Sequence, residues 1–349
     1  AFFNYINTAQ GGVNGRKLIL KSEDDGFSCT QNQSATQTDV GQVFGFVGSF
    51  SLFDNCGAKV LTQNPNVPDV AYSLDPVAQA LPNNFSPQPL ENGYRTGPFI
   101  YYKQHFPQAI KSVGTLVSNV SSSIASWNNE RTAIQSLGYH VSYERTINPL
   151  ETDFTADIVN MRNNNVQMLM LDNLDIKRVA LILNAAQQQG WHPQLLESGG
   201  VAYDGSYFKL TNSGAGEGLL NDQQQALYLS TANSDASTTP EVKLFDTWMA
   251  KTNPGFAPDI FSVFAWASAR LFVQALQTAG PSPTQSSVLA ALRNTHTFNS
   301  NGLLPPADPA AKKAPTCWVL LQIEGTKYVR HDSPTSGFRC DGGYYVNHS

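Results

Sequence analysis

A chain of 349 residues exceeds what one hydrophobic core usually supports, so two domains are the expectation. A formal net charge of −5 with no basic cluster excludes nucleic acid, which needs a positive stripe, and a polybasic membrane-surface role. Hydrophobic residues make up 41% and charged residues 14%; Ser, Thr, Asn and Gln fill the difference, and a small-molecule partner is what remains.

No apolar run reaches the ~18–20 residues that span a bilayer. No basic-then-apolar segment opens the chain, so any signal segment is expected to have been removed. After the turn signal Gly11-Gly12-Val13-Asn14-Gly15, Lys17–Lys21 reads as a strand with Leu18 and Leu20 on one face. Val43–Val47 reads as a strand, Val60-Leu61 as a helix end and Val67–Tyr72 as a further strand. Phe99–His105 is an aromatic helix with Pro98 suited to its first position. The grammar then repeats. Strands are predicted at Ser112–Val117, Val141–Glu144 and Val166–Leu171, and from Leu195-Leu196. Helices are predicted at Ile124–Leu137, stopped by Gly138, and at Phe154–Met161, capped by Thr152 or Asp153. Ile176, Val179, Ala180 and Leu183 recur at helical spacing up to Gly190. Alternating elements of this kind predict an α/β fold of two similar lobes with mainly parallel sheets.

Ala226–Ser230 reads as a strand and the polar stretch Thr231–Thr239 as a linker. Val242–Ala250 is an amphipathic helix, and Ile260–Leu276 is apolar nearly all round and therefore buried. Ser287–Leu292 gives a short helix and Pro305–Pro309 a loop. Cys317–Ile323 and Thr326–Val329 form a hairpin turning at Glu324-Gly325, with Gly325 at positive φ.

The four cysteines allow three pairings. Cys29–Cys56 and Cys317–Cys340 are favoured because each closes a local loop; the alternative is four buried thiols. Two disulfides imply an oxidising compartment. No CxxC occurs and no histidine stands at zinc-ligand spacing, so no metal and no cofactor is expected. HExxH, GxSxG, the P-loop and GxGxxG are all missing, and the six histidines (His105, His140, His192, His296, His331, His348) are scattered. No enzyme is expected. Asp24-Asp25 could serve acid/base work, but capping of the next helix accounts for them.

Two strand ends carry the functional signal. Gly48-Ser49-Phe50-Ser51 ends one strand and opens a helix, and Ala71-Tyr72-Ser73-Leu74-Asp75 ends the next. Ligands of open α/β sheets sit beyond such carboxyl ends, where N–H groups and hydroxyls converge. Phe50, Phe53 and Tyr72 flank this edge and could stack on an aromatic or apolar ligand, or serve the core. The five tryptophans read as structural.

Tyr5-Ile6-Asn7, Gly11 to Lys17 and Glu23-Asp24-Asp25-Gly26 resemble the opening of the type I periplasmic binding proteins, closest to the branched-chain amino-acid binding group of ABC importers. Phe46-Val47-Gly48, Asn66-Val67-Pro68, Thr152-Asp153-Phe154, Ala185–Trp191 and Phe261–Ala275 extend the resemblance over nearly the whole chain. The resemblance implies two doubly wound Rossmann-like lobes joined by a three-segment hinge. Residues 1–109 plus 234–306 would form one lobe, and 110–233 plus 307–349 the other. It implies closure on a small ligand, handover to a membrane permease, an extracytoplasmic place with or without a lipid anchor, and a monomer. It also agrees with an early disulfide. A signalling partner in place of the permease, or a secreted hydrolase, are the rival readings.

Carried over residue by residue, the first lobe offers Phe50, Ser51, Tyr72, Ser73, Leu74 and Asp75, and the second Ser122, Asp172, Asn173 and Gly199. Asp75 stands where the family has Thr, which favours an ammonium or hydroxyl over a carboxylate. The family's aromatic residue near Ser122 and acidic residue near Gly199 are missing; Glu197 or Asp172 would substitute. Ala1–Asn7 corresponds to the latter part of the family's first helix, so the strand and loop that precede it are expected to be missing from the first sheet.

Overall fold

The computed structural model describes residues 1–347; His348 and Ser349 lie outside the described residues. The chain divides into a first unit, Ala1–Glu91, Ser234–Phe256 and Phe261–Pro315, and a second, Asn92–Asn233, Ala257–Ile260 and Thr316–Ser349. The change at 233/234 falls inside the polar stretch read as a linker. Residues 92–109 sort with the second unit, not the first, because Phe99, Tyr101 and Tyr102 pack into its core. Residues 307–315 sort with the first, where the Lys312 ammonium donates to the Leu81 carbonyl at 2.6 Å.

In the first unit the sheet is reduced to β1 (Phe46–Val47) and β2 (Asp69–Val70), paired in parallel. The expected strand Lys17–Lys21 does not form. No described segment pairs with it, and Ile19 and Leu20 are 91% and 64% exposed. Alternating side chains promise a strand only where a neighbour supplies the ladder. Here the Asn7 amide satisfies Leu18 instead, taking its N–H at 2.8 Å and donating to its carbonyl at 2.7 Å. Helices carry the core. Val40, Ala58, Val60, Leu61, Val67, Ala78 and Leu81 form one buried cluster. Helix Cys29–Asp39 is capped by Ser28, whose hydroxyl accepts from Gln31, so Asp24 and Asp25 do not cap it; they close the turn before it.

Helix Ile260–Thr278 is long and apolar enough to cross a membrane by length and composition alone. Val263, Phe264, Trp266, Ala267, Leu271 and Phe272 are buried, as the all-round apolar pattern predicts. One acid ties it to its neighbour. Glu241, on helix Pro240–Thr252, accepts the Trp266 indole N–H at 2.6 Å and Arg270 Nε and Nη2 at 2.8 and 2.6 Å.

The second unit is built on a seven-stranded sheet. A separate two-stranded ribbon pairs β3 (Gly93–Arg95) with a late strand at Tyr344–Val346. The sheet comprises β4 (Val113–Ser118), β5 (Val141–Ile147), β6 (Met168–Met170), β7 (Leu195–Gly199), β8 (Leu220–Gln223), β9 (Val319–Glu324) and β10 (Lys327–Arg330). Its order is β10-β9-β8-β7-β6-β4-β5. β5, β4, β6, β7 and β8 run parallel; β9 is antiparallel to β8, and β10, antiparallel to β9, resumes the common direction. Three of the crossovers are helices Ser121–Ser136, Thr155–Asn163 and Ile176–Gln188, each anticipated in the sequence and the last from its periodicity. Asp153 accepts the first helical N–H of the second, from Thr155, at 2.9 Å, although Phe154 holds the cap position.

The strand expected at Ala226–Ser230 is corrected to Leu220–Gln223, where β7 and β9 supply ladder partners on both sides. The hairpin turn is Gly325-Thr326, because Glu324 pairs with Lys327; Gly325 has φ 60° as expected. Helix Gly97–His105 carries Pro98 at its second position, not its first. Both favoured disulfides, Cys29–Cys56 and Cys317–Cys340, are formed. They close loops separated by 27 and 23 residues. On chain-entropy grounds each stabilises by about 3 kcal/mol.

Truncating Glu241 would strand the Arg270 guanidinium and the Trp266 N–H. Glu241→Ala is expected to cost about 3 kcal/mol in urea unfolding; a loss below about 0.5 kcal/mol, the surface-substitution range, would contradict this role.

Candidate functional site

Each unit gathers its polar residues at the carboxyl ends of parallel strands. In the first unit β1 runs into Gly48, which takes φ 69°, a conformation glycine adopts readily, and a Cβ there would also stand 3.1 Å from the Ala265 backbone. The chain then reaches Ser51, whose hydroxyl accepts the Phe53 N–H at 2.9 Å and donates to the Asp25 carboxylate. β2 runs into Ser73, which is buried and accepts from the Asn84 amide at 2.9 Å. Asp75 caps the short helix Pro76–Gln79, accepting the Val77 N–H at 2.9 Å.

The backbone N–H groups of Leu74 and Asp75 stand at a strand end of the kind where N–H groups and hydroxyls were expected to converge on a ligand. Here they have a partner within the chain. Asp54, the first residue of helix Asp54–Gln63, accepts Leu74 N–H at 2.6 Å and Asp75 N–H at 3.1 Å. Burial, with smaller contributions from Asp75 and Asp69, pushes the Asp54 carboxyl up to about 7 against the pull of these two N–H groups. Asp69 is pushed up to about 6 by burial, opposed by its bond from Asn84 and by Lys312. The strand-end motif pointed to this spot, but Asp54 itself was missed. An acid in the first turn of a helix reads as a partner for the helix dipole.

Phe50 and Tyr72 lie side by side with ring centres 6.4 Å apart. Phe50 also meets Phe261 at 4.2 Å, and Tyr72 stacks on Phe264 at 3.8 Å and 4°. Phe50, Tyr72 and Phe261 are half-buried, so this shelf keeps an open face. Phe53 turns away to pair with Phe27 at 5.2 Å.

In the second unit, β4 leads into helix Ser121–Ser136, and Ser122 is buried in its first turn. Its early N–H groups suit a polar or anionic group. β6 leads to Asp172 and Asn173. The Asn173 amide donates to Glu130 at 2.6 Å. Asp172 leans over the end of β7, since a Cβ on Gly199 would stand 2.4 Å from its Oδ1. Gly199 therefore makes room for a carboxylate that arrives from the adjacent strand. Glu197 lies on β7 and Asp222 on β8. Asp222 is ion-paired with Arg95.

Glu130, Asp222 and Arg95 were not singled out from the sequence. Glu130 stands between Trp127 and Ile134 on the buried stripe of its helix, a polar break that could have been noticed. Asp222 sits in the polar run Asn221-Asp222-Gln223, which nothing marks as a buried strand.

A protein-family model described as "Periplasmic binding protein" matches residues 1–327. No curated protein matches the chain. Among solved structures, a leucine binding protein (LivK) from Thermotoga maritima superposes with a TM-score of 0.77 at 17% identity, covering 95% of this chain and 91% of that one. A fatty acid ABC transporter substrate-binding protein from Thermomonospora curvata gives 0.78 at 15% identity, covering 99% and 86%. A branched-chain amino acid ABC transporter protein from Thermus thermophilus with bound valine gives 0.78 at 15% identity, covering 95% and 89%. These likenesses agree with the fold, and the family match over nearly the whole length decides the assignment: the chain belongs to the periplasmic binding protein family.

Proposed function

We propose that this chain is the extracytoplasmic solute-binding component of an ABC uptake system. It captures a small polar or aromatic amino-acid-like ligand between its lobes by hinge closure and releases it, unchanged, to a membrane permease. Family membership supports the binding role. The structural neighbours named for leucine, fatty acid and branched-chain amino acid transport support the uptake system.

The observation that carries the ligand class is Asp54. Its carboxylate already uses the Leu74 and Asp75 N–H groups. A ligand carboxylate brought there would find those donors already taken by Asp54. An ammonium, amide N–H or hydroxyl would be attracted instead. The shelf of Phe50, Tyr72 and Phe261 offers a face for a flat or apolar body. On the second lobe, Ser122, Asp172, Asn173 and Gly199 complete the capture. Each polar group buried on closure needs a partner, since one left unsatisfied costs about 1–3 kcal/mol. We assign the protein no catalysis.

A thermal-shift screen tests the class. At a concentration 100-fold above Kd, a ligand adds about 2.7 kcal/mol to stability. Amines, amides and hydroxylated aromatics are expected to raise Tm by roughly 4 °C. A shift from aliphatic amino acids alone would overturn the ligand class, and incubation that converts the bound ligand would overturn the assignment of no catalysis.

Asp54 also makes stability depend on pH. Its folded pKa, about 7, lies above the unfolded value of about 3.9. The folded state therefore binds the extra proton, and this contribution is fully present below about pH 4 and lost as pH rises through about 7. Asp69 acts in the same direction. Asp54→Asn is expected to flatten the fall in stability between pH 5 and pH 8, measured by urea unfolding at each pH. A slope unchanged from wild type would contradict the assignment of this proton to Asp54.

A further inference from the structure

The turn before helix Cys29–Asp39 carries an aromatic side chain on a backbone that disfavours it. The Ser28 N–H donates to the Asp25 carbonyl at 3.0 Å and closes a four-residue turn, Asp25-Gly26-Phe27-Ser28. Both central residues have positive φ, 54° at Gly26 and 60° at Phe27. Such a pair marks a type I′ turn, whose central positions belong to Gly, Asn and Asp. At Gly26 the absence of a side chain is used, since a Cβ there would stand 2.5 Å from Gln31 Oε1. At Phe27 a large side chain is present in the region that L-residues avoid. Among the described residues, the other non-glycine positions of positive φ hold Asn, Asp, Ser or Lys; Phe27 alone is apolar.

The turn is fixed to the binding edge of the first unit. Asp24 accepts the Gly26 N–H at 2.8 Å, and Asp25 accepts the Phe27 N–H at 3.0 Å. The other oxygen of Asp25 accepts from the Asn32 amide at 3.2 Å and from the Ser51 hydroxyl. The Cys29–Cys56 disulfide ties the helix that follows to helix Asp54–Gln63. Phe27 nevertheless stays 45% exposed. Its ring meets Phe53 edge-on at 5.2 Å and 87°, and Phe53 is itself half-buried. The Phe53 N–H is held by Ser51, and the next residue is Asp54. A lone exposed aromatic residue needs no explanation. One held open on a pinned turn, against its backbone preference, does, because such strain persists where the placement of the side chain matters.

We propose that Phe27 is a specificity-determining residue of the first unit's binding edge and selects ligands that carry an aromatic ring. The Phe27–Phe53 pair gives this edge a second aromatic face, distinct from the shelf of Phe50, Tyr72 and Phe261, on the stretch of chain that also supplies Ser51 and Asp54. A ligand ring packed on Phe27 covers apolar surface that is open in the free protein and gains an aromatic contact. Its ammonium group is answered by Asp54. The ligand class narrows from polar or aromatic compounds to aromatic amines, an assignment that rests on the solute-binding reading given above.

Tyramine, which has a ring, a hydroxyl and an ammonium group, is the probe, titrated calorimetrically into the full chain. Phe27→Asn removes the ring and keeps the turn, because Asn tolerates positive φ. It is expected to weaken tyramine binding about 10-fold, while the Tm of the ligand-free protein stays within about 2 °C of wild type or rises. Phe27→Tyr keeps the ring and is expected to bind tyramine within about 3-fold of wild type. Phe27→Gly removes both the ring and the strain, and serves in place of Phe27→Asn should that variant fail to fold. Tyramine bound equally by wild type and the ringless variants overturns the role of Phe27 and leaves the uptake reading in place. A ligand-free Tm lowered by more than about 5 °C in both ringless variants also overturns it, since the ring would then serve the fold. Failure of wild-type protein to bind tyramine overturns the ligand class proposed above, and the role of Phe27 with it.

Discussion

The carboxylate of Asp54 resting on the backbone N–H groups of Leu74 and Asp75 sets what the first unit can offer a ligand. Strand ends in open α/β sheets attract anions because unpaired N–H groups point outward there. In this chain one such pair of donors is answered internally, and the edge gains negative character. Ser51 bonded to Asp25, and Ser73 bonded to Asn84, extend the pattern, since both hydroxyls have partners within the unit. What this edge presents is the half-buried Asp54 beside an aromatic shelf.

The second unit solves a related problem differently. Its parallel strands bury side chains on both faces, as sheets covered by crossover helices do. Polar residues at their carboxyl ends are thus drawn into the interior together. Arg95 balances Asp222, but Glu130, Asp172 and Glu197 outnumber the cations available. Burial and mutual repulsion raise the Glu130 and Glu197 carboxyls well above their usual range, so bound protons supply the balance and the unit's stability becomes linked to pH.

Much of the fold was legible because helices and parallel strands leave strong periodic traces. The stripe Ile176, Val179, Ala180, Leu183 and the apolar Ile260–Leu276 became helices close to their expected bounds. Lys17–Lys21 failed because a strand depends on a partner that lies elsewhere in the chain. Ala226–Ser230 failed because an apolar run drew attention from the polar strand just before it. The candidate site was half legible. Motif and resemblance led to the strand ends at Ser51, Ser73–Asp75, Asp172 and Gly199. They could not reveal that Asp54 folds back onto Leu74 and Asp75, nor that Glu130 and Asp222 converge on Asp172. Such meetings depend on side chains distant in sequence, and no spacing rule encodes them.

The most direct test of the binding role is native mass spectrometry of the protein purified from cells that produce it, followed by denaturation to identify whatever leaves it. One small molecule per chain, released chemically unchanged and carrying an ammonium, amide or hydroxyl group, is the expected result. An aliphatic amino acid, a ligand whose only polar group is a carboxylate, or a pair of substrate and product would contradict it.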